Sequence, residues 1–125
     1  MLIDTDVLIW MTRGHAGAAT RLQALTPWCI SAVTYMELAQ GCRDKQELAR
    51  VKKGLAASQT EILPINTAIT ERAMQLVDAY ALSHGMQLAD ALIAATALEH
   101  GATILTSNAK HFSAVDGLAV EVFVP

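Results

Sequence analysis

At 125 residues, with 53% apolar and 17% charged side chains, the chain has the size of one domain and too much apolar content for intrinsic disorder. No stretch approaches the roughly 18 uncharged apolar residues that a membrane span needs, and the N-terminal MLIDTDVLIWMTR lacks the basic start of a signal peptide and is broken by Asp4 and Asp6. A formal net charge of −3 argues against the basic face by which most nucleic-acid binders gain affinity, although Arg43, Lys45, Arg50, Lys52 and Lys53 cluster locally. The expectation is one soluble, cytoplasmic domain spanning 1–125.

Met1-Leu2-Ile3 is an apolar run that stops at Asp4, after which Val7, Leu8 and Met11 recur at helical spacing. This predicts a strand turning directly into a helix capped by Asp4 or Thr5. His15 to Leu25 reads as a second helix halted by Pro27, and Trp28-Cys29-Ile30 as a brief buried strand ending at Ser31. The next helix runs to Gly41 and starts either at Ser31 or at the Thr34-x-x-Glu37 capping box, so Glu37 lies within it or near its start. Asp44 to Ala57 is polar and amphipathic, and Glu61 to Leu63 is a third strand before Pro64. Thr67 to Ser83 carries a stripe of Ile69, Ala73, Leu76, Val77 and Tyr80, closed by His84-Gly85. A helix over Leu88 to Glu99 and strands over 103–106 and 118–123 complete the chain. Strands alternating with helices predict a parallel sheet in an α/β domain. Cys29 and Cys42 have apolar neighbours and no CxxC spacing, and read as reduced packing residues.

In open α/β sheets ligands bind beyond the carboxyl ends of the strands, which directs attention to Asp4, Ser31 and Thr106 to Asn108. Each acid also has a purely structural role open to it. Asp4 would serve as an N-cap, Asp6 and Asp90 as first-turn charges facing a helix dipole, and Glu37 as part of a solvated face. Asp90, however, shares its face with Ile93, Ala94 and Ala97, and a buried carboxylate needs a partner or a metal. Carboxylates gathered at one edge repel unless a cation neutralises them, and no basic residue in these segments is placed to do so. Hard oxygen donors suit Mg²⁺ or Mn²⁺, ions that activate water for phosphodiester hydrolysis. His15, His84, His100 and His111 show no zinc spacing, and there is no GxSxG or glycine-rich phosphate loop. Trp10, Trp28 and Phe112 read as core rather than as base-stacking platforms.

Four segments, Leu2-Ile3-Asp4-Thr5-Asp6-Val7-Leu8, Glu37-Leu38-Ala39-Gln40-Gly41, Leu88 to Ala97 (LADALIAATA) and Leu105 to Phe112 (LTSNAKHF), together resemble the PIN domain. Their order and spacing cover nearly the whole chain, and its small size is similar to VapC-type toxins of prokaryotic toxin–antitoxin pairs. The resemblance implies a three-layer α/β fold with a central parallel five-stranded sheet flanked by helices. It implies a Mg²⁺- or Mn²⁺-dependent endoribonuclease cutting structured RNA, such as transfer or ribosomal RNA. By the same resemblance Asp4, Glu37 and Asp90 hold the metal, and Thr5, Asp6, Thr106 and Asn108 support the site. Many members carry a fourth acid near the Thr106-x-Asn108 turn; here Asn108 and His111 occupy that region, leaving Asp6 or Asp116 to replace it. Homodimerisation and a cognate antitoxin lying across the active-site groove are also implied. The alternative is a catalytically weak module of this fold that only sequesters a partner, in keeping with the missing acid and the negative charge.

Overall fold

The computed structural model describes all residues, 1–125. Its inner strands are short runs buried on both faces, as a parallel sheet covered by helices requires, while the outer β3 (Glu61–Leu63) and β5 (Val120–Val122) are largely exposed. In β1 (Leu2–Ile3) the two side chains enter opposite cores, and in β4 (Ile104–Thr106) Ile104 and Leu105 do the same. Between them in sequence come α1 (Thr5–Thr12), α2 (Ala16–Gln23), β2 (Cys29–Ser31), α3 (Ala32–Gln40), α4 (Lys45–Ala57), β3 (Glu61–Leu63), α5 (Thr67–His84) and α6 (Leu88–His100). A 3-10 turn, Ala109–His111, and β5 (Val120–Val122) follow β4.

All strand pairings are parallel, but the sheet is not the continuous five-stranded one expected. β1 pairs with β4 and β4 with β5, forming a three-stranded sheet, while β2 and β3 form a separate pair. β1 and β2 lie side by side without a ladder. The reason is the length of β1: the chain turns into α1 immediately after Asp4, and the amides of Leu2 and Asp4 donate to Thr103 and Leu105 on the β4 side.

Ile69, Ala73, Leu76, Ile93, Ala94 and Phe112 form the core on one face, under α5 and α6. Val7, Leu8, Leu22, Trp28 and Leu55 form the other, under α1, α2 and α4. Trp28 is a core residue whose indole N–H donates to the Leu22 carbonyl, and Phe112 is fully buried. Both cysteines are free and half-buried.

The helix boundaries follow local chemistry. Asp4 caps α1, the His15 ring nitrogen accepts from the Ala18 amide to cap α2, and Asp44 and Asn66 cap α4 and α5. Ser31, not Thr34, caps α3, leaving Thr34 buried inside the helix. α5 and α6 end at Gly85 and Gly101, whose φ values of 66° and 61° lie in the left-handed region that favours glycine. No helix is long and apolar enough to cross a membrane.

Because β1 and β4 run the same way, their carboxyl ends place Asp4 and Thr106 at one edge of the molecule, and the contact of Thr5 with Thr34 brings the first turn of α3, which Ser31 caps, to the same edge.

Candidate active site

Asp4 ends β1 and is only 7% exposed. Its Oδ1 accepts the Thr5 amide at 2.8 Å, the capping bond of α1, and its Oδ2 accepts the Thr106 hydroxyl, also at 2.8 Å. Burial, and secondly the charge of Asp6, push its carboxyl from the ordinary 3.8 up to about 7; the bonds from Thr106 and Thr5 pull it partly back. The Thr106 hydroxyl also lies 3.4 Å from Asp6 Oδ2, so one hydroxyl joins two carboxylates from the same helix start.

Asp6 is bound more extensively than a first-turn charge requires. Its Oδ2 accepts the Ser107 amide at 3.0 Å, the Asn108 side-chain amide at 3.3 Å and the Ser107 hydroxyl. Its Oδ1 is buried and has no partner. Asn108 closes the turn by donating its backbone N–H to Thr106 Oγ at 3.0 Å. Ser107 lies within the Thr106-to-Asn108 stretch that its place after a strand singled out, but nothing in the sequence assigned it a role of its own.

A second network starts at Thr5, the neighbour of Asp4. Its hydroxyl lies 2.6 Å from Glu37 Oε1 and 3.1 Å from Thr34 Oγ. With one proton to give, it serves the charged acceptor, holding Glu37 of α3 toward α1. Asp4, Thr5, Asp6, Glu37, Thr106 and Asn108 thus belong to one connected set.

Asp90 stands apart from that set. Its Oδ2 accepts the Gln87 amide at 3.3 Å, closing the first turn of α6, and its Oδ1 lies 3.5 Å from His111 Nδ1. No hydrogen bond connects it to Asp4, Asp6 or Glu37. Asp116 is exposed and takes no part in either network.

Asp4, Asp6 and Glu37 form no ion pair, for the Lys, Arg and His pairs all engage other acids. No three carboxylate, His or Cys side chains stand together as a ready-made cage. The donor set nevertheless fits a hard divalent cation. It consists of oxygens alone, it holds an uncompensated carboxylate pair, and it leaves one buried carboxylate oxygen unbonded. Mg²⁺ in particular is commonly held by one or two carboxylates with water completing its shell.

Beside Glu37 a groove of about 600 Å³ opens between α1, α3 and α4. Leu8, Leu38 and Leu55 line it with Arg13, Arg43 and Arg50, of which Arg43 is paired to Glu47 at 2.6 Å.

A PIN domain family model matches residues 1–118. The chain is 34% identical, over an alignment of 131 positions, to Ribonuclease VapC10 of Mycobacterium tuberculosis, covering 100% of this chain and 95% of that protein. It superposes on a toxin–antitoxin complex from Klebsiella pneumoniae with a TM-score of 0.78 and 30% identity, over 94% of each chain. In fold alone it is also similar to DNA-bound VapBC from Salmonella typhimurium, with a TM-score of 0.80 and 23% identity over 97% and 96% of the chains. With the family model, a relative along the whole sequence and the acidic edge of the parallel sheet in agreement, the chain belongs to the PIN domain family, in its VapC-type branch.

Proposed function

We propose that residues 1–125 act as one catalytic domain, a divalent-metal-dependent endoribonuclease that is the toxin of a toxin–antitoxin pair. The observation that carries this reading is the buried Asp4 beside Asp6 at the carboxyl edge of the sheet, with no cationic side chain to neutralise them. Asp4, Glu37 and Asp90 hold Mg²⁺ or Mn²⁺, directly or through water. Bound there, the ion supplies an activated water and offsets charge on the phosphoryl group.

The chain's own residues do the positioning. Thr106 and the Thr5 amide orient Asp4, and the Thr5 hydroxyl orients Glu37. Arg13 and Arg50 in the groove beside Glu37 contact RNA phosphates despite the negative net charge. The substrate is structured RNA of the transfer or ribosomal class, and the setting is the cytoplasm. The name of the ribonuclease relative supports the activity, and the toxin–antitoxin complex supports an antitoxin partner. A homodimer belongs to the same reading, with exposed Met74, Leu82 and Leu88 as apolar surface for a second copy.

The test is to incubate the purified chain with total RNA, with Mg²⁺ or Mn²⁺ and with EDTA, and to map the ends. Cleavage that needs the ion and disappears in Asp4→Asn is expected. Cutting that persists in EDTA, or in Asp4→Asn at the wild-type rate, overturns the metal-dependent reading. A second reading, a module that only sequesters its partner, draws on the lack of a preformed three-ligand cage. RNA that survives every condition, with no Mg²⁺ or Mn²⁺ binding by calorimetry, favours it.

A further inference from the structure

The geometry points to Asp6 as a fourth carboxylate of the metal site, presented through Oδ1, with Ser107 and Asn108 as positioning residues that hold its other oxygen. This rests on the proposal above that the site takes Mg²⁺ or Mn²⁺, and it concerns residues to which that proposal gives no ligand role.

The argument begins with an imbalance. Every donor that reaches Asp6 arrives at Oδ2: the Ser107 amide at 3.0 Å, the Ser107 hydroxyl, the Asn108 side-chain amide at 3.3 Å and, more distantly, the Thr106 hydroxyl at 3.4 Å. Oδ1 receives none, although it is buried. A carboxylate serving only as a first-turn charge would face helix amides or water, and a buried acceptor without a donor is costly enough to be rare. Saturating one oxygen from the β4 side fixes the carboxylate plane and leaves the other oxygen for a ligand that is not a hydrogen-bond donor. Asp4, which shares the Thr106 hydroxyl, sets a second carboxyl beside it within hydrogen-bond reach. A proton therefore bridges the pair when Asp4 holds one, and with both groups ionised the missing ligand is a cation.

The partner residue sharpens the point. Asp6 on α1 and Asn108 on the turn after β4 face each other across one hydrogen bond, carboxylate to amide. Exchanging the two side chains preserves both the charge and the bond, and moves the carboxylate from one wall of the site to the other. If the site needs a carboxylate there for a metal, the exchanged pair works where the single substitution fails.

The measurement is Mn²⁺ binding to the full chain by calorimetry, with near-UV circular dichroism to report folding. Asp6→Asn is expected to weaken Mn²⁺ binding by about 10-fold or more, and the double variant Asp6→Asn/Asn108→Asp to recover most of it. Ser107→Ala is expected to weaken binding as well, while Ser107→Thr, which keeps the hydroxyl, stays near wild type. Wild-type affinity in Asp6→Asn, or a double variant no better than the single one, overturns the inference. Should Asp6→Asn fail to fold, the serine pair decides: equal affinity in Ser107→Ala and wild type overturns it. Failure of this inference is distinct from failure of the reading beneath it. A wild-type chain that binds no Mn²⁺ defeats both, whereas binding lost in Asp4→Asn and kept in Asp6→Asn defeats only this one.

Discussion

Thr106 and Asp4 are separated by 102 positions, yet the Thr106 hydroxyl donates to Asp4 Oδ2 at 2.8 Å, tying the end of β4 to the end of β1. Both residues are buried, so the bond is a charge-assisted one shielded from water whenever Asp4 is ionised. Thr106→Val keeps the shape and removes the donor. It is expected to cost about 1–3 kcal/mol in urea unfolding at neutral pH, with Thr106→Ser close to wild type. Equal stability of the valine and wild-type chains would show that the bond does not support the carboxylate.

Asp4 also predicts a pH dependence for the metal-free protein. Its carboxyl is raised from 3.8 to about 7, chiefly by burial and then by Asp6, so between those values the folded state keeps a proton that the unfolded chain releases. Folding stability contributed by this group is complete below pH 3.8 and is lost as pH rises toward 7, at a rate on the order of 1 kcal/mol per pH unit. Asp4→Asn cannot ionise and should lack this slope. Denaturation of both proteins between pH 4 and 8 without divalent ions measures the difference; parallel curves would refute it.

Thr5 links Glu37 to α1 through one short bond at 2.6 Å. Thr5→Val releases Glu37 without touching Asp4's contact with the Thr5 amide. RNA cleavage is expected to fall by about 10-fold or more, as losses at supporting residues commonly do, with Thr5→Ser retaining most of the rate. A Thr5→Val chain that cuts at the wild-type rate would show that the Thr5 hydroxyl does not position Glu37 for the reaction.

Asp90 offers a sharper separation of structural from functional roles. As a capping residue it contributes about 0.5–2 kcal/mol to α6, and the amide of Asn still accepts the Gln87 N–H. Asp90→Asn is therefore expected to fold with nearly unchanged stability and to lose cleavage. Retained cleavage would confine Asp90 to its helix cap.

Ser31 settles a question that its neighbourhood left open. The Ser31 hydroxyl accepts the Val33 amide at 3.1 Å, so Ser31→Ala should cost about 1 kcal/mol in thermal or urea unfolding. Thr34→Ala should act differently, since the Thr34 hydroxyl lies on Thr5 rather than at a helix end.

The sequence by itself determined the order of strands and helices, the stops at Gly41, Gly85 and Gly101, the caps to within Asp4 or Thr5 and Ser31 or Thr34, and the membership of Asp4, Glu37 and Asp90 in a candidate set. These signals are local, written within a helical turn or at a strand end, where spacing and side-chain type speak directly. Tertiary structure decided the rest. It broke the expected five-stranded sheet between β1 and β2, because β1 is too short once Asp4 starts a helix. It chose Ser31 over Thr34 as the cap by burying Thr34 against Thr5. It drew Asp6, Ser107 and Asn108 together and left Asp90 with His111, pairings that depend on which strands lie side by side and in which register. Asp6 looks like an ordinary first-turn charge until β4 comes alongside β1; only then do its donors arrive, all on one oxygen.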